Sequence, residues 1–201
     1  LIEQIGFEAR ESEYIDVKSG VSARMSISAF ENLVSTAELR GLKSKSPKTS
    51  VRLADFQGII PALTGKMELV YEGEQEGSTY VAEQLIGRAV KTLFESYFPK
   101  VEKLEKPGEN GPYQDIVDWF FEQDEFVLSE DADDKTYHAQ LDSITPLETL
   151  IQKYQPKVNP QEKHFLKEFV LWGLVESKKL SKSQMNNNTT FSDQFSSYVR
   201  G

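Results

Sequence analysis

Lys18-Ser-Gly20-Val-Ser22-Ala-Arg24-Met-Ser-Ile-Ser28 is the stretch from which this chain is read: a polar loop that delivers one arginine and then opens a helix. Gly20 gives the backbone freedom to turn, and small hydroxyl-bearing residues flank the arginine. Ser28, followed three positions later by Glu31, predicts a capping box, which sets Arg24 one turn before the helix start. A guanidinium there suits a phosphate, because its planar fork matches phosphate oxygens and the helix start adds free N–H groups and a positive dipole end. The physics leaves a second reading open, in which Arg24 is solvated or makes a local ion pair.

Outward from the loop, Phe30, Leu33, Val34 and Ala37 recur at helical spacing and predict a helix ending near Gly41. Residues 43–50, with three lysines and four hydroxyls, read as a surface connection. Asp55 to Ala62 reads as a short helix, and the acidic run from Glu72 to Gly77 as a turn. Upstream, Ile2, Ile5, Ala9 and Tyr14 form one apolar stripe over residues 2–14.

Ser78 opens the longest predicted helix, in which Ala82, Ile86, Ala89, Val90, Leu93 and Tyr97 recur at three and four residues until Pro99. The segment from Pro107 to Pro112 is the expected boundary between two parts, residues 1–98 and 99–201. Beyond it, a helix with Ile116, Val117, Trp119, Phe120 and Phe121 is expected. Residues 122–134 hold seven acids in thirteen and read as a solvated linker. Thr145-Pro-Leu-Glu148 and Asn159-Pro-Gln-Glu162 each carry the signature of a capped helix start. Asn186 to Thr190 reads as a polar turn before a short amphipathic segment with Phe191, Phe195 and Tyr198. The fold class expected is all-α, with any strand short and peripheral.

A chain of 201 residues with 38% apolar and 11% aromatic content can build a real core. Its formal charge of −9 argues against a general electrostatic footprint for nucleic acid or for an anionic membrane surface. The absence of cysteine excludes disulfides and thiolate metal sites and is compatible with a cytoplasmic location. The chain opens at Leu1, inside a predicted helix, and is expected to be a fragment of a longer protein. Gly65-Lys66 does not make a P-loop, since Met67 follows and Ile60 stands where the first glycine belongs. Lys135 and Thr136 exclude a calcium loop at Asp131. His138 and His164 have no zinc-ligand spacing, and Arg24 replaces the last glycine of a nucleophile elbow. No glycine cradle with Lys-Ser/Thr is present, so these residues alone are not expected to hydrolyse ATP.

The run Gly20-Val-Ser22-Ala-Arg24, then Ala29-Phe-Glu-Asn-Leu-Val-Ser-Thr-Ala-Glu-Leu-Arg40, then Val51-Arg-Leu-Ala-Asp55-Phe56, resembles the lid of AAA+ ATPases of the magnesium-chelatase I subunit and MoxR group. The likeness covers roughly residues 1–72. Pro61-Ala-Leu-Thr-Gly65-Lys66-Met67-Glu-Leu-Val-Tyr-Glu72 also looks like a chelatase-like branch of predicted bacterial ATPases. The resemblance implies that Arg24 is the sensor-2 arginine, contacting the nucleotide γ-phosphate from a segment that includes Gly20 and Ser22. It implies an AAA+ lid-type bundle followed by a second helical bundle, ATP and Mg2+ as cofactors of the full-length protein, and homo-oligomeric rings with neighbouring subunits. It further implies mechanical work on a partner protein, in the family a von Willebrand-type subunit, and in the photosynthetic branch a metal-inserting complex. Two rivals are carried beside it. One is a stand-alone helical interaction module using the aromatic helices at 113–121 and 165–172; the other is a sigma-54-activator-like ATPase.

Overall fold

The computed structural model describes residues 1–18, 21–46, 48–102, 111–123 and 125–194. It is mostly helical with one small antiparallel sheet. Helices α1 (Ile2–Glu11) and α2 (Arg24–Lys43) lead into a 3-10 segment (Leu53–Ile59), α3 (Ile60–Thr64), α4 (Tyr71–Glu76) and α5 (Ser78–Tyr97). After α6 (Gln114–Glu122) come strand β1 (Phe126–Ser129), helices α7 (Asp134–Ser143), α8 (Thr145–Tyr154) and α9 (Pro160–Glu176), and strands β2 (Leu180–Met185) and β3 (Asn188–Asp193). One apolar core runs from Ile5 of α1 to Phe191 of β3.

The expectation of a helical fold with only short strands holds in outline, and the structure adds to it a small sheet whose strand order is β1-β3-β2. Asn186 and Asn187 both have positive φ (50° and 58°) between the paired residues Met185 and Asn188. That is the two-residue turn whose twist matches a hairpin, so the polar turn read from the sequence joins strands. Phe191 is a buried strand residue pairing with Phe126; Phe195 and Tyr198 lie outside the described residues. The acidic linker expected at 122–134 contains β1, because Phe126 and Leu128 alternate with Val127 and place two apolar side chains on the core face.

Three further boundaries differ from the sequence reading. Helix α2 starts at Arg24, so Ser28 is interior and no capping box forms there. The reason is its buried stripe, Met25, Ala29, Leu33 and Ala37, which begins earlier than Phe30 suggested and leaves Phe30 60% exposed. The acidic turn at 72–77 is helix α4, seated on the loop after α1: a Cβ on Gly73 would lie 2.5 Å from the Tyr14 carbonyl oxygen. Thr145 does not cap α8, and Glu148 instead binds Lys163 and Lys167 of α9. By contrast Asn159 caps α9 as its sequence signature requires, accepting the Gln161 N–H at 3.0 Å.

Helices α5 and α9 carry the centre of the core. Phe94 packs against Phe98 (5.2 Å between centroids), Tyr113 (5.7 Å) and Phe169 (5.8 Å). Gly173 of α9 permits the approach, for a Cβ there would stand 2.2 Å from a ring carbon of Phe94. On α9, Phe169 and Trp172 are buried and Phe165 is half-buried; on α6, Ile116 and Phe120 are buried and Phe121 is 70% exposed.

A buried polar network fastens the N-terminal helices to the C-terminal half. Arg40 forms a two-pronged pair with Asp55, Nε to Oδ1 and Nη2 to Oδ2 at 2.9 Å each, and also donates to Thr49 Oγ1 and the Ser50 carbonyl. Asp55 Oδ2 accepts the Arg52 backbone N–H at 2.8 Å. The Arg52 guanidinium lies 4.0 Å over the Tyr137 ring and binds Asp134 at 2.7 Å. Tyr137 and the Leu53 N–H both donate to Glu168 Oε2 (2.7 and 2.8 Å). Burial pushes the Glu168 carboxyl up, and these two donors oppose it.

Two outcomes follow. Asp55→Ala strands Arg40 in the interior and should lower the free energy of unfolding by about 3–5 kcal/mol, read from urea denaturation. Gly173→Ala drives a methyl into Phe94 and should cost about 1–3 kcal/mol, read as a lower melting temperature with helical circular dichroism retained.

Candidate functional site

The loop before α2 is held by backbone pairing. Ile15 bridges Leu69 and Val21 bridges Met67 in the antiparallel sense. The Asp16 N–H donates to the Glu68 carbonyl at 2.9 Å, and the Val70 N–H to the Tyr14 carbonyl at 3.0 Å. Ile15 and Met67 are buried beneath this ladder. Met25, the second residue of α2, is also buried, which fixes the start of the helix against α1. The crossing is close at Gly6, where a Cβ would stand 3.3 Å from Ser26 Oγ.

Arg24 is therefore the first residue of a 20-residue helix, on a braced backbone, with its side chain exposed. Its N–H donates to Ser22 Oγ at 3.2 Å. Among the described residues no carboxylate pairs with its guanidinium. Ser22 and Arg24 are both exposed, and Gly20 lies outside the described residues. The Met25 N–H is likewise taken, by the Ser22 carbonyl at 2.8 Å, so what this place offers an anion is the dipole end of α2 and the Arg24 guanidinium.

Nearby, Arg10 donates to the Gly6 carbonyl at 3.1 Å and lies over the Phe7 ring. It lines a hollow of about 320 Å³ together with Ala9, Ile15, Asp16, Val17 and Val21. Lys18 is exposed, its N–H held by Asp16 Oδ1 at 2.6 Å.

The titratable residues of the C-terminal half form a second cluster. His138 of α7 and His164 of α9 stack face to face, with centroids 3.7 Å apart and planes at 11°. His164 Nε2 meets Asp142 Oδ1 at 3.0 Å, and Lys167 binds both Asp142 (2.6 Å) and Glu148 (2.9 Å). Hydrogen bonds from Lys163 and Lys167 hold the Glu148 carboxyl down to about 2. No group of three or more potential metal ligands occurs among the described residues, and no helix among them is long and apolar enough to cross a membrane. Sequence reasoning missed the buried set of Arg40, Arg52, Asp55, Tyr137 and Glu168. Its visible signal was charge at stripe positions: Arg40 continues the spacing of Leu33 and Ala37, and Glu168 interrupts the apolar run of α9.

Compared with protein-family models, with curated proteins and with solved structures, the chain matches none.

Burial, and then the charge of His164, lower the proton affinity of His138; Asp134 and Asp142 act in the opposite sense and Arg52 in the same sense. A depressed histidine leaves stability untouched above the unfolded value near 6.5. Below it the unfolded chain binds a proton that the folded chain refuses, so stability falls until the folded value is passed. Melting temperature should therefore drop between roughly pH 7 and pH 5, and His138→Gln should reduce that slope.

Proposed function

We propose that this chain is the lid and helical C-terminal extension of an AAA+ ATPase of the magnesium-chelatase I subunit and MoxR group, with Arg24 as the residue that reads the nucleotide γ-phosphate. The observation that carries the reading is the exposed guanidinium at the first position of α2, without an acidic partner among the described residues, on a loop laid against residues 67–69. An arginine that only stabilised the lid would be expected to bury its stem or meet a carboxylate, as Arg40 and Arg52 do. In this reading the phosphate cradle and the magnesium-holding acids come from outside these residues, and ATP with Mg2+ is the cofactor of the complete protein. Neighbouring subunits of a homo-oligomeric ring and a von Willebrand-type partner complete the assembly, in the cytoplasm. Neither nucleic acid nor membrane is part of it.

The interaction-module alternative draws on one feature, an open apolar groove of about 740 Å³ whose walls include Phe30, Leu93, Phe165 and Leu166. The Arg24 variants separate the two readings. In the complete protein Arg24→Ala should lower ATP turnover by roughly a thousandfold, the scale of a phosphate-contacting arginine. Stability should change by less than about 1 kcal/mol, because the side chain is exposed. Arg24→Lys should restore turnover only in part, since a point charge lacks the two-pronged fork. Unchanged turnover in Arg24→Ala would return the arginine to a solvated surface role.

A further inference from the structure

Helix α2 turns a second apolar stripe toward solvent. Ile27, Phe30 and Val34 recur at three and four residues, beside the buried stripe of Met25, Ala29 and Leu33. Ile27 is 62% exposed, Phe30 is similarly exposed and Val34 is half-buried. Phe30 is also a wall of the open groove of about 740 Å³, so stripe and groove form one surface. Across the groove stand Leu93 and Tyr97, one turn apart on α5, and Phe165 and Leu166 of α9. Single apolar side chains on a surface need no explanation, but a contiguous set of this kind marks an interaction site.

The charges at its border are mostly of one sign. Glu31 and Glu38 stand seven residues apart along the flank of the α2 stripe, and Glu162 of α9 lines the groove. All three are exposed, and none forms a salt bridge among the described residues. Glu3 lines the groove as well, with its charge acting on the Leu1 amino group. Against these acids stand Lys157 in the groove and Arg24 at the start of α2. The centre is therefore apolar and the border acidic, on a chain whose formal charge is −9.

That pattern chooses the occupant. A second copy in a two-fold contact would press the acidic border against itself, and an acidic segment or a fatty acid brings the same sign. The groove is open and continues onto α2, which suits an elongated partner. We propose that this surface docks an amphipathic helix of a partner protein, its apolar side chains at i, i+3, i+4 and i+7 lying in the groove and along Ile27, Phe30 and Val34. Lysine or arginine on the flanks of that helix meets Glu31, Glu38 and Glu162. The docking needs neither Arg24 nor a nucleotide, so it stands or falls apart from the ATPase reading.

The test is a calorimetric titration of the 201-residue chain with a synthetic peptide of about 15 residues, long enough to form a helix. It carries leucine at i, i+3, i+4 and i+7 and lysine between them. Two controls accompany it: the same composition in an order without the stripe, and the stripe with glutamate in place of lysine. The expected result is one saturable site of about 100 µM or tighter for the leucine–lysine stripe, with both controls at least about tenfold weaker. Phe30→Ser should weaken binding about tenfold, the scale of an interface anchor, with unchanged circular dichroism because the side chain is exposed. Glu31→Lys combined with Glu38→Lys should also weaken it about tenfold, while Glu72→Lys combined with Glu76→Lys on α4, an equal change of charge elsewhere, should weaken it by less than about twofold. Equal binding of either control peptide, equal effects of the two charge-reversed pairs, or no saturable binding up to about 1 mM would overturn the proposal. Self-association of the unaltered chain that Phe30→Ser abolishes would overturn it too, by making this face a contact between copies. If a variant unfolds, the comparison of the three peptides on the unaltered chain decides alone.

Discussion

The Arg40–Asp55 pair is the interaction on which the rest depends. Both side chains are buried, and every atom of the pair is used: two prongs between guanidinium and carboxylate, Thr49 and Ser50 on the remaining donors, and the Arg52 N–H on the carboxylate. Its consequence is positional. By fixing Asp55 it sets the 3-10 turn in which that residue lies, and it orients Arg52 toward Asp134 and Tyr137 of α7. Tyr137 then reaches Glu168 of α9, which returns to the Leu53 N–H. A chain of charged groups thus closes on itself across the two halves of the sequence, where a purely apolar contact would leave their relative rotation less strictly defined.

Two glycines make the second constraint, this time steric. Gly173 lets the Phe94 ring lie against the backbone of α9, and Gly87 lets the Glu176 carboxylate lie against the backbone of α5. Helices this close leave little slack, and β2 and β3 follow α9 directly, so the sheet inherits the placement of that helix. The N-terminal loop is positioned by another device, main-chain bridges to residues 67 and 69. Arg24 is thereby presented at a fixed point without itself taking part in the packing.

Most of the helices were legible because their stripes follow one rule, apolar residues at three- and four-residue spacing, and because Asn159 and Pro160 mark a start unambiguously. The start of α2 was not legible. Ser28 and Glu31 satisfy the local grammar of a cap, but burial of Met25 against α1 outweighs it, which is a tertiary contact that no local pattern carries. The sheet was missed for a similar reason. β1 has only four residues inside an acidic run, and β2, Leu-Ser-Lys-Ser-Gln-Met, is largely polar because one face meets water. Pairing with β3 holds both, and pairing is not local. Of the candidate site, Arg24 and its exposure could be anticipated from the loop, whereas the bridges that brace it, Ile15 to Leu69 and Val21 to Met67, join residues far apart in sequence.

The central claim is that Arg24 stands where a terminal phosphate arrives. The most direct measurement is an experimental structure of the complete protein with Mg2+ and a non-hydrolysable ATP analogue. The account predicts Arg24 guanidinium nitrogens at about 2.7–2.9 Å from γ-phosphate oxygens, the spacing of a charge-assisted hydrogen bond. A nucleotide bound with Arg24 facing solvent, or paired with a carboxylate instead, would contradict it.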